Sequence, residues 1–184
     1  LLQNKGKSLV VCGVNDPAIQ TVVAAINKML GNYGSTIDTE NYSNLHQGND
    51  LQFSNLMSDM KEGKVDALIV YNSNPAYTVP GFADSMKKVG LKVSFSGTMD
   101  ETAALCDYVC PDHNYLESWN DAEPKKNQFS LTQPTIAPIY NTRSAQETLM
   151  KWSGNNSDYH SFIQATWEKL LFPAALGFTD HWNE

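Results

Sequence analysis

The sequence has no apolar run approaching the roughly 20 residues that a membrane-spanning helix requires, so it offers no direct membrane span. Basic residues are scarce: 13 Lys and Arg stand against 20 Asp and Glu, for a net charge of −7. That balance excludes nonspecific nucleic-acid binding, which needs cations to neutralise phosphates. Cysteine is sparse as well. Cys12, Cys106 and Cys110 are odd in number and contain no C-x-x-C spacing, which argues against a disulfide framework and against an iron–sulfur cluster held here alone. Neither G-x-G-x-x-G nor a Walker motif occurs. The first residue is Leu1 and no signal peptide is visible. The expectation is a segment cut from something longer, with localisation not legible at its N-terminus.

What is present is an ordinary globular composition, 41% apolar and 18% charged over 184 residues, enough for one core and one domain spanning 1–184. Ser8 to Val14 is a short apolar run read as a strand, followed by Asn15-Asp16-Pro17, an N-cap with proline in the first turn. Ile19, Val22, Val23, Ile26, Met29 and Leu30 recur at helical spacing up to Gly31. Residues 32–50 read as an exposed polar loop, and Leu51–Lys61 as a helix ending at Gly63. Further strands are expected at Ala67–Tyr71, Leu91–Phe95 and Asp107–Cys110, separated by helices near 82–89 and 100–105. Near-continuous apolar strands alternating with helices predict an α/β fold in three layers, a mainly parallel sheet with helices on both faces. That core should end near residue 110. Prolines at 111, 124, 134 and 138 then mark a long irregular excursion, closed by helices near 144–152 and 157–171.

The strand ending at Tyr71 empties into Asn72-Ser73-Asn74-Pro75. In open parallel sheets, ligands bind beyond the carboxyl ends of strands, and Asn side chains there can bond a nucleotide or sugar. On residue chemistry alone a plain Asn-Pro turn is the preferred reading. Cys106, Cys110 and His113 invite a metal site, but no second ligand pair stands nearby, so buried cysteines acting as small hydrophobes are preferred. Asp112, His113, Ser118 and Asp121 hold the ingredients of a nucleophilic triad without an elbow or oxyanion pattern, and a hydrolase is rejected. Trp119, Phe129, Tyr140 and Trp152 stand in or beside the excursion, where core packing and a protein interface are evenly matched readings.

Two segments carry a resemblance: Ala67-Leu-Ile-Val-Tyr-Asn-Ser-Asn-Pro-Ala76 and Asp100-Glu-Thr-Ala-Ala-Leu-Cys-Asp-Tyr-Val-Cys-Pro111. Their order and spacing resemble the molybdopterin oxidoreductase superfamily, in which a Gly-x-Asn-Pro turn precedes Thr-Glu-Thr-Ala and then Ala-Asp-Val-Val-Leu-Pro. Leu30–Gly34, Pro111–Trp119, Asp121–Pro124 and Phe129–Thr135 look in addition like one branch. That branch is the large iron–sulfur subunit of bacterial alternative complex III, described as Tat-variant-translocated molybdopterin oxidoreductases. Phe178–Trp182 looks like the start of a further helix.

The resemblance implies a domain that, in cofactor-containing relatives, holds half of a molybdopterin guanine dinucleotide. It maps the corresponding site onto Asn72, Ser73, Asn74, Pro75, Ser96, Glu101 and Thr102. Two positions depart from the pattern. Ser96 stands where relatives place a guanine-recognising acid, and Asn72 stands where they have glycine. A hydroxyl cannot make the paired carboxylate contact to guanine. The implied role is therefore a cofactor-less scaffold without catalytic residues or metal ligands. Its parent would carry iron–sulfur clusters elsewhere, among partner subunits of a membrane-associated complex on the periplasmic side. The rival is a guanine-dinucleotide-binding domain of an active polysulfide- or thiosulfate-reductase-like enzyme. A third reading is a free-standing nucleotide- or sugar-binding module.

Overall fold

The structure, a computed structural model, describes residues 1–172 together with Phe178 and Trp182. It divides into two compact units, one of Leu1–Gln47 with Ala122–Ser130 and one of Gly48–Asp121 with Leu131–Glu184.

In the first unit, α1 (Pro17–Met29) starts where the sequence places it. The Asp16 carboxylate accepts from the amides of Ala18 (2.8 Å) and Ile19 (3.1 Å), and Pro17 costs no hydrogen bond in the first turn. The expected strand over 8–14 does not form. Its peptide groups are met by side chains instead. The buried Asn27 amide accepts from Val10 N–H (3.0 Å) and donates to Val10 C=O (2.8 Å), while Gln20 donates to the carbonyls of Cys12 and Val14. Once those groups are satisfied, the segment has less need of a strand partner, and Leu9, Val11 and Val14 stay exposed. Asn27 also accepts from the fully buried Asn32 (2.8 Å), so the loop read as exposed is anchored at its start on a buried polar pair.

In the second unit, α2 (Asp50–Glu62) is capped by Asn49 and stops at Gly63, whose φ of 75° favours a residue without Cβ. Three strands follow: β1 (Ala67–Val70), β2 (Leu91–Ser94) and β3 (Tyr108–Val109). They form one parallel sheet in the order β1-β2-β3, with Ala67 beside Leu91 and Val93 beside Tyr108. The fold is α/β, as expected. Between β1 and β2 run α3 (Pro75–Thr78) and α4 (Phe82–Ser85). The helix expected over 82–89 ends early, its last part a 3-10 turn at Met86–Lys88. One sheet face sends Leu68 and Val70 into a core with Met60, Phe82, Met86 and Val89, and Phe53 of α2 stacks on Phe82 at 5.8 Å.

The excursion after Pro111 is less irregular than its prolines suggest. It contains an antiparallel hairpin of β4 (Asn120–Lys125) and β5 (Gln128–Thr132), turned at Asn127 with φ 62°. Pro124 is tolerated because a two-stranded ribbon has only edge strands. The closing helices form as expected, α5 (Ala145–Trp152) capped by Ser144 and α6 (Tyr159–Leu170) capped by Asp158. Of the expected helix start at 178–182, the residues between Phe178 and Trp182 lie outside the described set. No helix among the described residues is long and apolar enough to cross a membrane.

Candidate functional site

Beyond the carboxyl ends of β1, β2 and β3, the loops at 71–74, 95–100 and 110–114 open a crevice of about 830 Å³. This is where an open parallel sheet holds ligands. Asn72, Ser73, Asn74 and Ser96 all line it, so residues 22 or more positions apart in the sequence meet at one place. Asn72 sits at φ 51°, in the left-handed region. Asparagine is one of the few side chains at ease there, which explains how this chain keeps the turn without a glycine. Ser96 turns its hydroxyl to its own loop, accepting from Thr98 N–H (3.3 Å), while its amide donates to the buried Ser94 hydroxyl (3.1 Å).

Asn74 faces inward chemically although it lines the crevice. Its amide nitrogen donates to Glu101 (2.6 Å), and its amide oxygen accepts from both the N–H (3.1 Å) and the hydroxyl (2.7 Å) of Thr102. Thr102 is fully buried, and its hydroxyl accepts in turn from Ala76 N–H (2.9 Å) in α3, which Pro75 opens. Asn74, Glu101 and Thr102 thus pin the turn after β1 to the segment after β2. The bond from Asn74 holds the Glu101 carboxyl below its ordinary range. The Ala103 amide, with smaller help from the Ser96 hydroxyl, does the same for Asp100.

No protein-family model matches the chain. Three curated proteins resemble part of it. The menaquinone reductase molybdopterin-binding-like subunit of Nitratidesulfovibrio vulgaris is 36% identical over 95 residues, covering 48% of this chain and 14% of that protein. A tetrathionate reductase subunit of Salmonella typhimurium is 32% identical over 115 residues, 54% of this chain and 11% of that one. A selenate reductase subunit of Mesobacillus selenatarsenatis is 30% identical over 95 residues, 45% and 9% respectively. Over about half of its length the chain therefore resembles the molybdopterin oxidoreductase superfamily. The chain spans at most 14% of the length of these relatives.

Within this domain, the other residues singled out in the sequence have structural occupations. Asp112 accepts from the amides of Ala145 (2.7 Å) and His113 (2.8 Å), fixing the start of α5 to the loop after β3. Tyr71 lies close to that carboxylate, and burial together with Asp112 pushes its phenol up from the usual value. Asp121 accepts from the Trp167 indole at 2.8 Å. The Cys106 thiol donates to the Thr102 carbonyl, and burial raises its pKa. No group of three or more metal-ligating side chains is arranged to hold an ion among the described residues. The aromatics divide. Trp119 stacks on His160 (4.2 Å) and Trp152 on Phe95 (5.7 Å), whereas Tyr140 stays 76% exposed.

Sequence reasoning missed Glu117 and Asp100 as crevice residues. Glu117 straps the excursion in place: its two oxygens accept from Asn114 N–H (2.9 Å) and Ile139 N–H (3.0 Å). Together with bonds from Thr135 and Ile136 to the Leu116 carbonyl, this brings Ile136, Ile139 and Tyr140 into the lining of the crevice. Nothing in the local sequence signals a partnership across 22 residues.

Proposed function

We propose that this domain is a cofactor-less scaffold in the large iron–sulfur subunit of a quinol:electron-acceptor oxidoreductase of the alternative complex III type. In this reading it docks neighbouring subunits, as well as other domains of its own parent chain, on the periplasmic side of the membrane. The clusters that move electrons lie elsewhere in the parent. The observation that carries the reading is the bonding of Asn74. Its amide nitrogen is turned to Glu101 and its amide oxygen takes both bonds from Thr102, so the group best suited to recognise a base is engaged with the protein itself.

The fit of a guanine dinucleotide is poor on two further grounds. Ser96 offers a hydroxyl already turned to Thr98 where a carboxylate would grip the guanine edge. The crevice also carries Asp100, Asp112 and Glu117 and no lysine or arginine among its described lining residues, so a pyrophosphate would meet charge of its own sign. The relative from Nitratidesulfovibrio vulgaris, named molybdopterin-binding-like, is consistent with a branch that keeps this architecture. The residues do not suit the group, and no reaction step is assigned to it.

Calorimetric titration of GDP and of molybdopterin guanine dinucleotide into the full chain tests the reading. No binding at micromolar concentrations is expected. A Kd tighter than about 10 μM, roughly −7 kcal/mol, would overturn it in favour of a cofactor-binding domain.

A further inference from the structure

The crevice that would be left without a nucleotide has a definite chemistry of its own. Part of its lining is apolar and open to solvent: Ile139 is 70% exposed and Tyr140 76%, and Ile136 and Leu116 line it too. The rest of the lining is largely polar and acidic and includes Asn72, Ser96, Asp100, Asp112 and Glu117. No described lining residue is a lysine or arginine. His113 also lines it, and its buried Nε2 has no hydrogen-bond partner among the described residues. The apolar part is held in place rather than loosely draped, because Ile139 N–H and Asn114 N–H share the Glu117 carboxylate.

We propose that this crevice is a docking groove for an extended cationic segment of a partner polypeptide, one in which arginine or lysine alternates with apolar side chains. The inference rests on the reading above, that no nucleotide fills the site. Charge complementarity selects the occupant. An anionic or phosphorylated ligand is repelled by three carboxylates, and a purely apolar one would leave the polar lining unmet. An arginine beside Asp100 gains a charge-assisted hydrogen bond, and another cationic side chain of the segment can lie over the exposed Tyr140 ring. The apolar residues of the segment would cover Ile136 and Ile139, surface that otherwise stays wet. A volume of about 830 Å³ accommodates a few side chains of such a strand. The three relatives reported above are all named as subunits, so partner chains exist for proteins of this kind.

The test is fluorescence anisotropy of a labelled Arg-Leu-Arg-Leu-Arg-Leu peptide against the full chain. Binding is expected to weaken as salt rises from about 50 to 300 mM, over which the screening length falls by roughly 2.4-fold. The Glu-Leu counterpart should bind at least about tenfold more weakly. Asp100→Asn, which keeps an acceptor for Ala103 N–H, and Ile139→Ser, at an exposed position, should each weaken binding by about threefold or more. Asp84→Asn, at an exposed carboxylate paired with Lys87 outside the groove, should change nothing. Equal affinity for the Glu-Leu peptide, equal weakening by Asp84→Asn, or no binding at about 1 mM peptide would overturn the proposal. Tight GDP binding in parallel would overturn the scaffold reading as well. Loss of peptide binding alone, with no GDP binding, would remove only the docking groove.

Discussion

Thr102 and Asn74 should be energetically coupled, and the coupling is measurable. Thr102→Val keeps the shape of a fully buried side chain but removes a hydroxyl that donates to Asn74 (2.7 Å) and accepts from Ala76 N–H (2.9 Å). Two bonds at about 1 kcal/mol each, with a half-buried amide left unmet, give a loss of about 2 kcal/mol. Asn74→Ala removes the bonds to Glu101 and to both groups of Thr102. The Glu101 bond is at the surface and contributes less, so a similar loss of about 2 kcal/mol is expected. Because the two variants destroy the same hydroxyl–amide bond, the double variant should be less destabilised than the sum by about 1 kcal/mol. Urea unfolding followed by tryptophan fluorescence suits the measurement, since Trp119, Trp152, Trp167 and Trp182 all lie in the unit that contains this network. Additivity within about 0.3 kcal/mol would refute the pinning of the two loops through Asn74.

Two further outcomes follow from side-chain bonds, one in each unit. Glu101 is held below the ordinary glutamate value near 4.5 by Asn74, so its contribution is present above that pH and is lost as pH falls through the lower folded-state value. Glu101→Gln should therefore flatten the acid limb of stability against pH between about 5 and 3, matching the parent at low pH and falling slightly below it at neutral pH, where the ionised carboxylate contributes; an unaltered acid limb would show that the bond does not bias the carboxyl. In the other unit, Asn27→Leu removes both bonds to Val10 and the one to Asn32. Hydrogen exchange at the Val10 amide should speed up by roughly tenfold or more, matching a local loss of at least about 1.4 kcal/mol. An unchanged rate would mean that the 8–14 segment is held by something else.

Much of the fold was legible in the sequence because the signals were local. Asp16-Pro17 and Gly63 mark helix ends through backbone chemistry confined to a few residues. The apolar runs at 67–71 and 91–95 have the composition of strands buried in a parallel sheet, and they pair side by side. The 8–14 run has the same composition and failed as a strand. Composition states that a segment can join a sheet; it does not state that a neighbouring side-chain amide, here Asn27, takes over its hydrogen bonds first. The hairpin over 120–132 was hidden for the opposite reason. Its charges, proline and lysine-asparagine turn give no alternating apolar pattern, and cross-strand backbone bonds sustain it.

The candidate site divides along the same line. The sequence by itself determined that an Asn-Ser-Asn-Pro turn follows an apolar strand and that the chain resembles the molybdopterin oxidoreductases. These are properties of residue identity and order. Only the tertiary structure decided what the side chains do. It engaged Asn74 with Glu101 and Thr102, turned the Ser96 hydroxyl to Thr98, and tied Ile139 to Glu117 within the lining of the crevice that also holds Asp100. The physical reason is that a hydrogen bond forms with whichever partner folding brings within about 3 Å, and that partner was 27 or 28 positions away for Asn74 and 22 for Glu117.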